Sequence, residues 1–215
     1  MKVYCISGMG ADFSLYENII WPDGFEPIAL PWLEPSKKEN LEEYALRVAE
    51  PINLSQPFVL CGISMGGICA QIIAAQLKPA KLILLSTVKG KHEMPWPMRW
   101  FSGKLLSRYV PARVFRWMAF MSTPILGLKM SDDHRAFRKM MAQLSPEYYR
   151  WALYQIANWQ APKNVMPILH VHGSSDQVFP AYFIKNAVSV AGGSHLMVQQ
   201  KPAEVSSFIK EFLGS

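Results

Sequence analysis

The sequence predicts an α/β fold: a mostly parallel sheet of about six strands flanked by helices, with a helical insertion between the fourth and fifth strands. Three observations predict it. Short β-prone apolar runs alternate with helix-period stretches, the pattern of strand–helix–strand units. The runs are apolar on both faces, as strands covered from both sides must be. The alternation stops after Ser86 and resumes at Val165, so residues 88–160 read as an insertion into one core formed by 1–87 and 161–215.

Taken in order, Val3 to Ile6 is the first strand, ending in Ser7-Gly8-Met9-Gly10. Glycines directly after a strand let the chain turn sharply and aim backbone N–H groups at a bound group. Phe13 to Ile20 is a short helix, and Pro27 to Leu30 a brief strand between prolines. Ser36 and Glu39 have capping-box spacing, and Leu41, Tyr44, Ala45 and Val48 form one apolar stripe, which predicts a helix over 37–50 that Pro51 ends. Phe58 to Cys61 is the third strand, Met65 to Leu77 the helix after it, and Lys81 to Ser86 the fourth strand.

Within the insertion, Pro97 to Tyr109, Ala112 to Met121, Asp132 to Leu144 and a stretch opening at Ser145-Pro146 read as helices. The sheet pattern then returns. Val165 to His172 is a strand ending in Gly173-Ser174-Ser175-Asp176, and Pro180 to Lys185 a short helix. Ala187 to Val190 is the last strand, ending in Gly192-Gly193-Ser194-His195, and Lys201 to Leu213 a closing helix.

At 215 residues the chain is expected to form one domain with a sizeable core. Cys5, Cys61 and Cys69 sit in apolar surroundings without metal-ligand spacing and are expected to be buried thiols in a reducing compartment. The opening run is too short for a signal peptide, which makes the cytoplasm the expected location. The net charge of +6 is concentrated: residues 88–140 hold eleven Lys or Arg against Glu93, Asp132 and Asp133. One basic segment is not the composition of a nucleic-acid-binding protein, so no nucleic-acid partner is expected. A basic segment of this kind is suited to peripheral contact with anionic lipid or to attracting a polyanionic substrate.

The chemistry concentrates in Pro57 to Leu77, a run without any charged residue. Its length would allow a membrane span, and Gly62-x-x-x-Gly66 also occurs in paired membrane helices. Gln71, Gln76 and the Gly66-Gly67 pair interrupt it, and the flanks of a span are missing, so no integral span is expected. Gly62-Ile63-Ser64-Met65-Gly66 fits G-x-S-x-G between a strand and a helix. Small residues at 62 and 66 allow the two arms of such a turn to pass closely. A purely structural glycine-rich turn is the competing reading.

In an open α/β sheet, ligands collect at the carboxyl ends of the strands. Gly8-Met9-Gly10, Ser64, Asp176 and His195 all fall at such ends. A serine hydroxyl needs an imidazole to accept its proton, and the imidazole works best when a carboxylate fixes its tautomer.

On these motifs the chain resembles a compact member of the α/β-hydrolase fold superfamily over nearly its whole length apart from the insertion. GISMGG, HGSSDQVFP and GGSHLMV stand where that family places nucleophile, acid and base. The resemblance implies Ser64 as nucleophile, His195 as general base and then acid, and Asp176 as the orienting carboxylate. It also implies an oxyanion hole from the N–H groups of Met65 and Met9, with Ser7 standing where many members carry histidine. Asp12 reads as a helix cap and would be the substitute acid.

The implied activity is that of a serine esterase of carboxylesterase or thioesterase type on a small-molecule acyl substrate, with no metal or organic cofactor. A carbon–carbon bond hydrolase or lyase on the same scaffold and a non-catalytic ligand binder are the alternatives. Serine at the turn argues against dehalogenase or epoxide hydrolase relatives, which carry aspartate there. The insertion resembles the family's cap. Trp96, Met98, Trp100, Phe101, Trp117, Met118 and Met121 are expected to pack it onto the sheet, some of them lining an acyl pocket. His92 and His134 are expected on its surface, and His170 and His172 inside the core or beside the site.

Overall fold

The computed structural model describes residues 1–100, 111–121, 126–127, 139–163 and 166–214. Six strands form one sheet in the order β2-β1-β3-β4-β5-β6: β1 (Lys2–Ile6), β2 (Glu26–Ala29), β3 (Phe58–Ile63), β4 (Lys81–Leu85), β5 (Ile168–Gly173) and β6 (Val188–Val190). Every pairing is parallel. Strand β3 is buried along its full length, which explains why Phe58–Ile63 is apolar without alternation. The order reverses between β1 and β3, which opens a crevice at their carboxyl ends. Register places Cys5 beside Cys61, and all three cysteines are free and buried.

Helix α1 (Leu41–Val48) buries the predicted stripe of Leu41, Tyr44, Ala45 and Val48. It begins later than the capping-box spacing at Ser36 suggests. The reciprocal cap is made by Asn40 and Glu43, Lys38 turns at φ 67°, and Glu39 faces Arg47 at 2.8 Å. A left-handed residue cannot lie inside a right-handed helix, so the cap moves to the next asparagine.

Helix α2 (Met65–Leu77) is buried on all sides from Met65 to Ala74. Its one buried amide is satisfied, since Gln71 Nε2 donates to the carbonyls of Gly67 and Val88. Among the described residues no helix is long and apolar enough to cross a membrane.

Among the described residues of 88–160 there are helices and no strand: α3 (Trp96–Trp100), α4 (Ala112–Met121) and α5 (Pro146–Asn158). Ser145 caps α5, accepting from the Tyr148 N–H at 3.0 Å, with Pro146 in the first turn. Most of the predicted helices 97–109 and 132–144 lies outside the described residues, as do Phe101, His134, Val165 and the side chains of Trp100 and Met118.

Met98 packs against the core, but Trp96, Trp117 and Met121 are 59%, 61% and 55% exposed, contrary to the expectation that they pack inward. Helix α4 packs against α5, and its Val114, Trp117 and Met121 stand in solvent. His92 is exposed, as expected.

Beyond the insertion, the predicted helix at 180–185 is a single 3-10 turn, Ala181–Phe183, and so is the one after β1, Phe13–Tyr16. A short helix absent from the sequence reading, α6 (Met197–Gln200), precedes the closing helix α7 (Pro202–Gly214).

Candidate active site

Strand β3 delivers the chain to Ser64, and α2 starts at the next residue. Ser64 has φ 54° and ψ −120°, a region that non-glycine residues occupy only where the surroundings hold them. The surroundings are close backbone. A β-carbon on Gly62 would lie 2.4 Å from the Gly66 carbonyl, and one on Gly66 would lie 2.1 Å from the carbonyl of Ile6. Both ends of the serine are tied: its N–H donates to Leu85 O at 3.0 Å, and Thr87 Oγ1 donates to its carbonyl at 2.6 Å. The sequence gives no sign of Thr87's part, because a threonine after a strand carries no signal of its own.

His195 is 4% exposed, and its Nε2 lies 3.0 Å from Ser64 Oγ. Its Nδ1 lies 2.8 Å from Asp176 Oδ2. The carboxylate can only accept, so Nδ1 carries the ring proton and the bare Nε2 accepts the serine O–H. The loops that carry the two residues are tied together. Ser174 N–H donates to Val190 O, Ser175 N–H to Gly193 O and Gly192 N–H to Ser174 Oγ, at 2.8–3.0 Å. A β-carbon on Gly173 would come within 2.3 Å of Gly193 O, so glycine is what lets these loops meet. All three sequence-predicted side chains, far apart in the chain, are therefore brought together above one sheet edge.

Asp176 accepts on Oδ1 from the N–H groups of Val178 and Phe179, at 2.8 and 2.9 Å. Burial pushes its carboxyl upward, but the electrostatic pull and hydrogen bond of the His195 ring, the nearby His172 ring and the Phe179 N–H outweigh it, holding it below the usual range. It is ionised at neutral pH and poised to stabilise an imidazolium.

The loop after β1 touches Ser64, for a β-carbon on Gly8 would lie 3.6 Å from Ser64 Cβ. The Gly8 carbonyl accepts from Ala11 N–H at 3.0 Å and from Trp32 Nε1 at 2.8 Å. A trans peptide sets C=O and N–H on opposite sides, so the Met9 N–H points away from those donors. Met65 is the first residue of α2, and its N–H has no acceptor in the helix's own ladder. Trp32, which sets the orientation of this loop, gave no sequence signal. Asp12 caps the turn that follows, accepting from Ser14 N–H at 2.9 Å, and takes no part in the Ser64–His195 chain.

The insertion reaches the same edge. The Tyr148 hydroxyl donates to Met65 Sδ at 3.8 Å, Trp151 Nε1 donates to Glu39 O at 2.8 Å, and Ser194 Oγ donates to Leu126 O at 2.9 Å. Met140 and Leu144 help wall a cleft of about 300 Å³ against the loop of Ser7 and Gly10, beside the site rather than over it, since Ser64 and His195 are not among its lining residues. Among the described residues no group of three or more His, Cys, Asp or Glu is placed to hold a metal ion.

His170 and His172 are buried on β5. Desolvation lowers His170 to about 3, helped by the charge of Lys89 and the neighbouring His172 ring. It is neutral when folded and titrates near 6.5 when unfolded, so the unfolded chain binds the extra proton between those limits. Stability is therefore expected to fall as pH drops from about 6.5 toward about 3, by up to ~1.4 kcal/mol per pH unit from this residue. Urea unfolding at stepped pH checks it: His170→Gln should flatten the slope across that window, and an unchanged slope contradicts the assignment.

A family described as the alpha/beta hydrolase family matches residues 8–208. No curated protein matches the chain. Among solved structures, a thermophilic esterase from Thermogutta terrifontis is 21% identical with a TM-score of 0.74, the match covering 100% of this chain and 89% of that one. An esterase from Exiguobacterium antarcticum is 16% identical with a TM-score of 0.75, covering 100% and 92%. The enol-lactonase from Burkholderia xenovorans is 16% identical with a TM-score of 0.71, covering 100% and 91%. At these identities the solved structures establish the shared fold. With the family match extending from the loop after β1 to the closing helix, the chain belongs to the alpha/beta hydrolase family.

Proposed function

We propose that this chain is a serine hydrolase that cleaves a carboxylic ester or thioester through an acyl-enzyme on Ser64. The observation that carries the reading is the hydrogen-bonded chain itself: Ser64 Oγ 3.0 Å from His195 Nε2, and Asp176 2.8 Å behind the same ring. Ser64 Oγ attacks the acyl carbon while its proton passes to His195 Nε2. The charge developing on the carbonyl oxygen meets the N–H of Met65 at the start of α2, where the helix end favours an anion, and that of Met9 in the loop after β1. Collapse expels the alcohol or thiol, which takes the proton from Nε2. A water deprotonated by the same nitrogen then attacks the acyl-enzyme, releasing the carboxylic acid and restoring Ser64.

In this reading residues 88–160 are a cap beside the Ser64–His195 pair, supported by the contacts of Tyr148 with Met65 and of Leu126 with Ser194. Named esterases among the similar structures agree with the reaction class. A fluorophosphonate tests the assignment directly. The expected result is one adduct per chain, located by peptide mass on Ser64; labelling elsewhere, or none under conditions of ester turnover, refutes it.

A further inference from the structure

Two residues before the loop that carries Asp176, His172 is 2% exposed, and its Nε2 faces two groups that can only accept. The Phe179 carbonyl lies 2.8 Å away and the Asp176 Oδ2 3.3 Å away. The Nδ1 of the same ring is buried without a hydrogen-bond partner. One proton on a neutral ring then has one favourable place, Nε2. The N–H donates to Phe179 O and lies against the carboxylate without a full hydrogen bond to it.

Phe179 in turn connects to both partners of the candidate site. Its own N–H donates to Asp176 Oδ1 at 2.9 Å, and its ring stands edge-on to His195 with centroids 5.6 Å apart. Holding the Phe179 carbonyl therefore holds the turn that grips Asp176 and the ring that flanks His195.

From this we infer that His172 is a positioning residue for the Asp176–His195 pair, acting as a neutral Nε2–H donor through Phe179 and beside the carboxylate. The inference rests on the serine-hydrolase reading above. The ionisable groups around the ring are His170, 5.8 Å away between centroids, Asp176, His195 and Glu93. Desolvation dominates them and keeps the ring below its ordinary pKa, hence neutral.

The role is tested in two ways. In the unmodified protein, ¹⁵N chemical shifts of His172 at pH 7 should report a neutral ring protonated on Nε2; a cation or an Nδ1–H tautomer overturns the proposal. In variants, His172→Gln keeps an N–H donor where Nε2 stood, whereas His172→Asn is too short to reach Phe179. On p-nitrophenyl acetate, His172→Asn should lower kcat about 10- to 100-fold, the scale of a misplaced catalytic group. KM should change by less than about twofold, and His172→Gln should recover most of the loss. Full kcat in His172→Asn, or equal loss in both variants, overturns it. Ser64→Ala run alongside separates the two levels: if it stays active, the serine-hydrolase reading falls as well, whereas if it is inactive and His172→Asn is fully active, only the positioning role falls.

Discussion

Ser64→Ala is expected to lower kcat for p-nitrophenyl acetate about a millionfold, because every later step depends on the oxygen it removes. Its side-chain bond in the resting protein is the 3.0 Å contact with His195, so nothing structural leaves with it. Alanine keeps a β-carbon and meets the same backbone at φ 54°, and the ties through Leu85 O and Thr87 Oγ1 use main-chain atoms that remain. The melting temperature should therefore stay within a few degrees of the parent while the activity disappears. Stopped assays on purified protein, together with a thermal scan, check both halves. An active, well-folded Ser64→Ala protein would remove the serine from the mechanism.

Gly66→Ala should do the opposite, damaging the fold before the chemistry. Its β-carbon would lie 2.1 Å from Ile6 O and 2.3 Å from Ser7 O, and both are backbone at the end of β1. Flexible side chains can yield to such a contact, but a central strand of a parallel sheet can do so only by shifting its register or opening the elbow. Overpacking against side chains costs about 1–3 kcal/mol, and a clash with strand backbone should exceed that range. For a chain of this size such a loss is a fall in Tm of about 10 °C. Gly214→Ala is the control, since among the described residues nothing lies within 4 Å of a β-carbon there, and it should change stability by less than about 0.5 kcal/mol. Equal melting temperatures for the two variants would show that the elbow is not as tightly closed as described.

Much of this is legible in the sequence, because the signals are local. Buried parallel strands must be apolar on both faces, and a strand-to-helix turn with glycine on both sides of a serine has few uses. Hence the order of the six strands along the chain, the span of α2, and Ser64, Asp176 and His195 as candidates could all be read from the residues. Where two local signals competed, the reading erred. Ser36 and Asn40 both offer caps to α1, and the choice fell to Asn40 because Lys38 adopts a left-handed turn and Glu39 pairs with Arg47.

Other features depend on distant parts of the chain meeting. Trp32 orients the Gly8 peptide, Thr87 holds the Ser64 carbonyl, and Phe179 links His172 to Asp176 and His195. The solvent exposure of Trp96, Trp117 and Met121 likewise depends on what packs where, and apolar character alone suggested the reverse. By itself the sequence determined which residues sit at strand ends, since hydrophobic period and turn chemistry act over a few neighbours. Only the tertiary structure decided that one imidazole nitrogen would lie 3.0 Å from the serine hydroxyl and the other 2.8 Å from a carboxylate. Hydrogen-bond geometry between loops 131 and 19 residues apart in the chain is set by how the whole sheet twists and packs, and no local pattern contains it.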